Sequence, residues 1–198
     1  MQLFLIAIFI FSVIIHEVSH GYVAYLQGDN TAKYAGRLTL NPISHIDMFG
    51  SIILPLILVL SGSPMIVGWA KPVPFNPYNL RNHRWGEMFV ALAGPLSNIC
   101  IGVVFGLIIR FGFFATLSNP FQYIVWINLI LATFNLVPIP PLDGSKILFS
   151  VLPYSMQNIR TFLERNQMII IIFFIFFLWS YIIPVVNFEF TLLTGILA

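Results

Sequence analysis

Thirteen consecutive residues near the start of the chain, Leu3 to Ile15, carry no charge. The apolar character then persists as far as Leu26, interrupted by a cluster of polar side chains. A segment of this length has few choices, because a backbone surrounded by lipid must satisfy its N–H and C=O groups internally, and about 20 residues of α-helix do so while crossing the hydrocarbon layer. Composition agrees: 59% of residues are hydrophobic, 8% are charged, and 20 Phe stand against 9 Lys plus Arg. The mean hydropathy is +0.93. These values exclude an ordinary soluble domain. A net charge of +2 is too small to point to nucleic acid. The single cysteine, Cys100, excludes a disulfide framework or a cysteine metal site and is expected to be a buried thiol.

The pattern predicts an all-α polytopic membrane protein, a single domain over 1–198, with about four transmembrane helices, a re-entrant or short apolar segment and a small extended or β segment. Spans are expected over about 3–27, 87–114 and 121–137, forming a core within 3–150, with a C-terminal span over about 168–183. The first run lacks the basic start of a signal peptide and is read as a retained helix. It ends at the turn signal Gly28-Asp29-Asn30. Region 31–85 is expected to be re-entrant or extended. The alternation around Gly36 to Asn41 fits a short strand or hairpin. Phe49 to Leu60 is too short for a full span, and Gly68 to Pro77, with three prolines, is extended. The apolar tail Phe188 to Leu197 has no predicted place.

Charge placement selects a topology. If 49–60 does not cross, Lys33, Arg37, Lys71, Arg81, Arg84, Lys146, Arg160 and Arg165 fall on one side against Arg110 alone. Short cytoplasmic loops carry the excess of Lys and Arg. Both termini are then expected outside the cytoplasm, with the end of the first span near the cytoplasmic face of a bacterial cell membrane.

Within the first span lies His16-Glu17-Val18-Ser19-His20. Residues four apart on a helix share a face, so His16 and His20 can aim two imidazoles at one metal ion. Glu17 beside them can take a proton from a metal-bound water, whose pKa the metal lowers to about 7. Ionisable groups at membrane depth are costly and seldom lack a role. A catalytic zinc site commonly has three protein ligands. Asp143 follows a helix broken by Pro138, Pro140 and Pro141, and read from the residues alone it is either a third ligand or a cap ahead of Gly144-Ser145-Lys146. Asn135 and Asn98 are candidates for substrate-binding or supporting roles, or for interhelical hydrogen bonds. Trp69 to Pro77 is either an edge that holds an unwound substrate or an interfacial loop. His45 is a fourth possible imidazole and His83 a loop residue.

The sequence resembles the site-2 protease family. The resemblance rests on His16-Glu17-Val18-Ser19-His20, on Ala93-Gly94-Pro95-Leu96-Ser97-Asn98, and on Asn135-Leu136-Val137-Pro138-Ile139-Pro140-Pro141-Leu142-Asp143-Gly144, in that order. Gly36-Arg37-Leu38-Thr39-Leu40-Asn41-Pro42 and Gly68-Trp69-Ala70-Lys71-Pro72-Val73-Pro74 resemble the small bacterial branch without a PDZ or CBS module. The resemblance implies an intramembrane zinc metalloprotease with His16, His20 and Asp143 as Zn2+ ligands and Glu17 as general base. It implies cleavage within or next to a transmembrane segment of a membrane protein or a signal-peptide remnant. The rivals are a non-proteolytic metal-binding membrane protein, either a transporter or an inactive relative, and a non-haem iron enzyme. Glu17 discriminates, since neither rival needs a carboxylate there.

Overall fold

The computed structural model describes residues 2–61, 69–82 and 85–197. All regular structure among them is helical. Helix α1 (Gln2–Leu26) is built from Leu, Ile, Phe and Ala, and Gly28 ends it with φ +105°. There the Gly28 amide donates to the Tyr25 carbonyl and the Asp29 amide to the Ala24 carbonyl, the paired bonds of a glycine-terminated helix. A one-turn α2 (Thr31–Tyr34) follows, and then a 3-10 turn at Pro42–His45. A π-helical turn at Met48–Ile53 runs into α3 (Leu54–Leu60). The long α4 (Gly86–Arg110) and α5 (Ser118–Asn135) come next, then α6 (Asp143–Val151) and α7 (Gln157–Arg165). The chain closes with α8 (Gln167–Phe173), a π-helical turn at Phe174–Leu178, and α9 (Trp179–Thr194).

Among the described residues, two helices, Leu3–Leu26 and Gly86–Arg110, are long and apolar enough to cross a membrane. Gln167–Phe177 and Trp179–Thr194 reach that standard only as a pair, bent by 64°, which brings the count to three. This is fewer than the four expected from the sequence. The shortfall is at α5, where Asn119, Gln122, Asn128 and Asn135 dilute an otherwise apolar helix of 18 residues. The protein is nonetheless an all-α integral membrane protein.

Helix α4 is central. It packs against both α1 and α5, which also touch each other, while α9 packs on α4 and α5. The main apolar core joins Val125 and Leu129 of α5 to Phe174 and to Ile182, Val186 and Phe190 of α9. The tail beyond Phe188 therefore continues α9, with Phe190 and Thr194 buried. The outer faces carry exposed large apolar side chains such as Phe9, Val104, Phe177 and Leu192, as expected where lipid replaces water. Cys100 also lies exposed on the outside of α4, contrary to the expected buried thiol, because that helix turns Asn98 and Gly102 inward instead.

No strand occurs among the described residues. Where Gly36 to Asn41 was expected to alternate as a strand or hairpin, Gly36 turns the chain with φ +66°. The Asn41 amide then donates to Thr39 Oγ1, and Asn41 Oδ1 accepts from the Ile43 amide. These local side-chain bonds occupy the backbone groups a ladder would need. Residues 69–76 are extended but pair with no strand. Their inward amides go to the rest of the protein: Trp69 to the Gly50 carbonyl, Lys71 to the His45 carbonyl, Val73 to Glu17 Oε2 and Asn76 to Asp29 Oδ2. Gly68 and His83 lie outside the described residues.

Candidate metal centre

Ser12, His16 and His20 follow one another at i, i+4 spacing on α1, so they present one stripe toward α4. All three are buried. Asp143, the first residue of α6, is brought to the same place from the far side of the chain. Its carboxylate Oδ2 stands 3.1 Å from His16 Nε2 and 3.1 Å from His20 Nε2. The ligand atoms of these three residues all lie within 4.8 Å of one another.

The second nitrogen of each imidazole decides what the first can do. His20 Nδ1 donates to the Val90 carbonyl at 2.6 Å, and His16 Nδ1 donates to Asn98 Oδ1 at 2.6 Å. With hydrogen on Nδ1, a neutral imidazole carries its lone pair on Nε2. Two imidazole lone pairs and one carboxylate oxygen thus converge, an arrangement that repels itself unless a cation joins it. Two donors each about 2.0 Å from a tetrahedral zinc ion lie about 3.3 Å apart, close to the spacing here. A Cβ on Gly94 would fall under 3.0 Å from both Nε2 atoms, so the absence of a side chain on α4 leaves room for an ion. The residues fit zinc. Pro95, next along, has no N–H to give the Ala91 carbonyl of its own helix.

Asp143 reaches the centre because of the break between α5 and α6. The amide of Ile139 donates to Val137 and that of Leu142 to Ile139, compact turns that bring the chain back on itself. A Cβ on Gly144 would collide with the carbonyl oxygens of Leu136 and Val137, so only glycine lets α6 start this close to the end of α5. Leu142, not Asp143, occupies the N-cap position, and the Asp143 carboxylate caps nothing. It faces the imidazoles, with Lys146 Nζ 3.9 Å from Oδ1. The same Lys146 sits 5.3 Å over the Phe75 ring, which ties the start of α6 to the extended segment.

Glu17 is half-buried beside this cluster and accepts a hydrogen bond from the Val73 amide at 2.9 Å. Gly21, one turn on, permits that approach, since a Cβ there would lie under 3.0 Å from Val73 Cγ1 and Leu38 Cδ2. Asn98 is fully buried, bonded to His16 on one side and to Asn128 on the other. Asn135 donates to the Leu131 carbonyl of its own helix at 2.8 Å and makes no hydrogen bond to the cluster among the described residues. His45 is buried away from the three convergent groups, with Nε2 bonded to the Thr39 carbonyl. Ser12, Gly94, Asn128 and the Val73 amide also belong to this environment, though none was a candidate from the sequence. Asn128 had a signal, an amide at membrane depth two turns before Asn135; the Val73 amide had none, being a backbone group.

A membrane helix bundle that holds two histidines and a carboxylate around a cation-sized space, with a glutamate alongside, defines a class of membrane-embedded metal enzyme. The sequence profile of peptidase family M50 matches residues 4–116 and 112–180. A relative from Bacillus subtilis (strain 168), named as a candidate zinc metalloprotease, YwhC, is 37% identical over 196 residues, which is 93% of this chain and 86% of its own. Rip2 of Mycolicibacterium smegmatis, also named as a candidate zinc metalloprotease, is 28% identical over 70% of this chain and 53% of its own. The zinc metalloprotease MJ0392 of Methanocaldococcus jannaschii is 28% identical over 71% of this chain and 32% of its own. The chain therefore spans most of YwhC but about half of Rip2 and a third of MJ0392. No solved structure matches. The chain belongs to peptidase family M50, the site-2 proteases, and is a zinc metalloprotease.

Proposed function

We propose that this protein hydrolyses a peptide bond within or next to a transmembrane segment, with His16, His20 and Asp143 holding Zn2+ and Glu17 acting as general base. The observation that carries the reading is the convergence of two Nε2 lone pairs and Asp143 Oδ2 at 3.1 Å beside a glutamate. Bound zinc would polarise water and the scissile carbonyl, supplying a nucleophile at neutral pH. Glu17 would take the proton released from the water and return it to the leaving amine. The Val73 amide holds the Glu17 carboxylate in one orientation while that transfer takes place.

A helical substrate must unwind to meet these groups. In the extended segment, residues 69, 71 and 73 turn their amides inward, so 70, 72 and 74 face outward, and of these only Ala70 has an N–H to give. A substrate strand laid along that edge would donate to its carbonyls, a form of strand addition. Asn135, at the end of α5 ahead of the break, commits one amide hydrogen to Leu131 and keeps its carbonyl oxygen for a substrate backbone; Asn98 supports His16. The substrate class is a single-span membrane protein or signal-peptide remnant in a bacterial cell membrane. If α5 crosses together with α1, α4 and the α8–α9 pair, Lys and Arg concentrate on one side and the centre lies near the cytoplasmic face.

The test is cleavage of a single-span substrate co-reconstituted with the full chain in liposomes. Glu17→Gln is expected to lower the rate about 10²- to 10⁴-fold with zinc retained, the range typical of general acid–base catalysis. Cleavage at the wild-type rate by Glu17→Gln would refute the assignment.

A further inference from the structure

Behind His16, three buried polar residues from three helices form a chain that the reaction itself does not use. An amide side chain can be turned end for end with little change in shape, so its partners decide which end faces where. Asn128 Nδ2 lies 2.9 Å from the Ile124 carbonyl and 2.9 Å from Ser12 Oγ. A carbonyl only accepts, so the nitrogen end of Asn128 is fixed there and its Oδ1 faces Asn98. Asn98 Nδ2 in turn lies 2.8 Å from Asn128 Oδ1 and 3.3 Å from the Ser12 carbonyl, and both of these only accept. Asn98 must therefore turn its oxygen to His16 Nδ1. An amide oxygen cannot donate, so the ring hydrogen has to sit on Nδ1.

We propose that Asn128, which does not touch the metal centre, is a positioning residue that sets the tautomer of His16 by orienting Asn98. The proposal rests on reading His16 as a zinc ligand. Without Asn128 Oδ1, Asn98 Nδ2 keeps only the longer bond to the Ser12 carbonyl. The amide is then free to turn and offer nitrogen to His16, and the ring answers by moving its hydrogen to Nε2. One proton changes ring nitrogen with no change in charge, and the lone pair needed by a divalent cation is lost. His20 needs no such relay, since its Nδ1 donates to a main-chain carbonyl that cannot turn. Ser12 joins the device twice, through its carbonyl to Asn98 and its hydroxyl to Asn128, and it stands one turn before His16 on the same stripe.

The experiment uses the full chain purified in detergent, stripped of metal, with 15N-labelled histidine, and compares wild type with Asn128→Leu and Ser12→Ala. Tautomers are read by NMR on metal-free protein carrying Asp143→Ala in every case, so that no carboxylate faces Nε2, with His16→Ala assigning the signal, and zinc affinity is read by competition with a chromogenic chelator on the chains that keep Asp143. With Asn128 and Ser12 intact, His16 is expected to show hydrogen on Nδ1. Asn128→Leu is expected to populate the Nε2-protonated form and bind zinc about 10- to 100-fold more weakly, the usual effect of losing a residue behind a ligand. Ser12→Ala deletes only a hydroxyl and is expected to shift both readouts in the same direction by less; it decides the matter should Asn128→Leu fail to fold. An unchanged tautomer and affinity in the folded variants would overturn the proposal. If His16→Ala and His20→Ala also bound zinc as wild type does, the metal-centre reading would fail, while the metal-free tautomer would still judge the relay by itself.

Discussion

His16 and His20 lie buried on one stripe of α1, each with Nε2 3.1 Å from Asp143 Oδ2. Asp143 was ambiguous between ligand and cap for a local reason: aspartate before glycine and serine is good capping chemistry wherever it occurs. In the fold Leu142 is the N-cap and the Asp143 carboxylate faces the imidazoles. Gly94 shows the opposite case, a residue whose meaning lies wholly in what stands across from it. Gly94→Ala would push a methyl to under 3.0 Å from both Nε2 atoms. It is expected to lower zinc affinity at least tenfold and to cost about 1–3 kcal/mol as overpacking. Equilibrium zinc titration and thermal unfolding in the same detergent would check this, and unchanged affinity would show that α4 does not bound the metal space.

Among the elements, α1 and α4 were readable from uncharged runs of helical length, and their observed ends fall close to those expected. Of the connection between them, the turn at Gly28, the short apolar segment and the extended 69–76 were readable, but not the absence of a strand at Gly36 to Asn41, where side-chain-to-backbone bonds that alternation cannot reveal hold the chain. Asp29 is the centre of that connection. It is fully buried and accepts from the Thr31 amide and hydroxyl, the Asn76 amide and Asn79 Nδ2. Burial opposes its charge, but the hydrogen bonds from Thr31, Asn79 and Asn76 prevail and hold its carboxyl below the ordinary value of 3.8. A depressed folded pKa contributes stability that is fully present above the unfolded value and is lost as pH falls through the folded one. Thermal unfolding from pH 7 downward is therefore expected to show an acid-labile component below about pH 4 that Asp29→Asn lacks. Parallel acid limbs in the two proteins would contradict this role.

For the molecule as a whole, the helical class and membrane character followed from composition and the uncharged runs. Length and hydropathy alone do not reach the four crossings expected, since α5 mixes four amides into its apolar surface and the last candidate span is a bent pair, not one straight rod. The same amides explain why the centre is built where it is. Asn128 of α5 and Asn98 of α4 meet Ser12 and His16 of α1, so a hydropathy deficit in one helix is the polar support of a site in another. No residue-by-residue periodicity can show that, because the partners are 30 to 116 residues apart in the chain. Such buried networks hold only when every member is satisfied. Here the members come from α1, α4 and α5.

The most direct measurement is zinc content by elemental mass spectrometry on detergent-purified wild type, Glu17→Gln and Asp143→Ala prepared side by side. The ligand set predicts about one zinc per chain in wild type and Glu17→Gln and a small fraction of that in Asp143→Ala, since losing one of three ligands removes a large part of the binding energy. Equal zinc in Asp143→Ala and wild type, or iron in place of zinc, would contradict it.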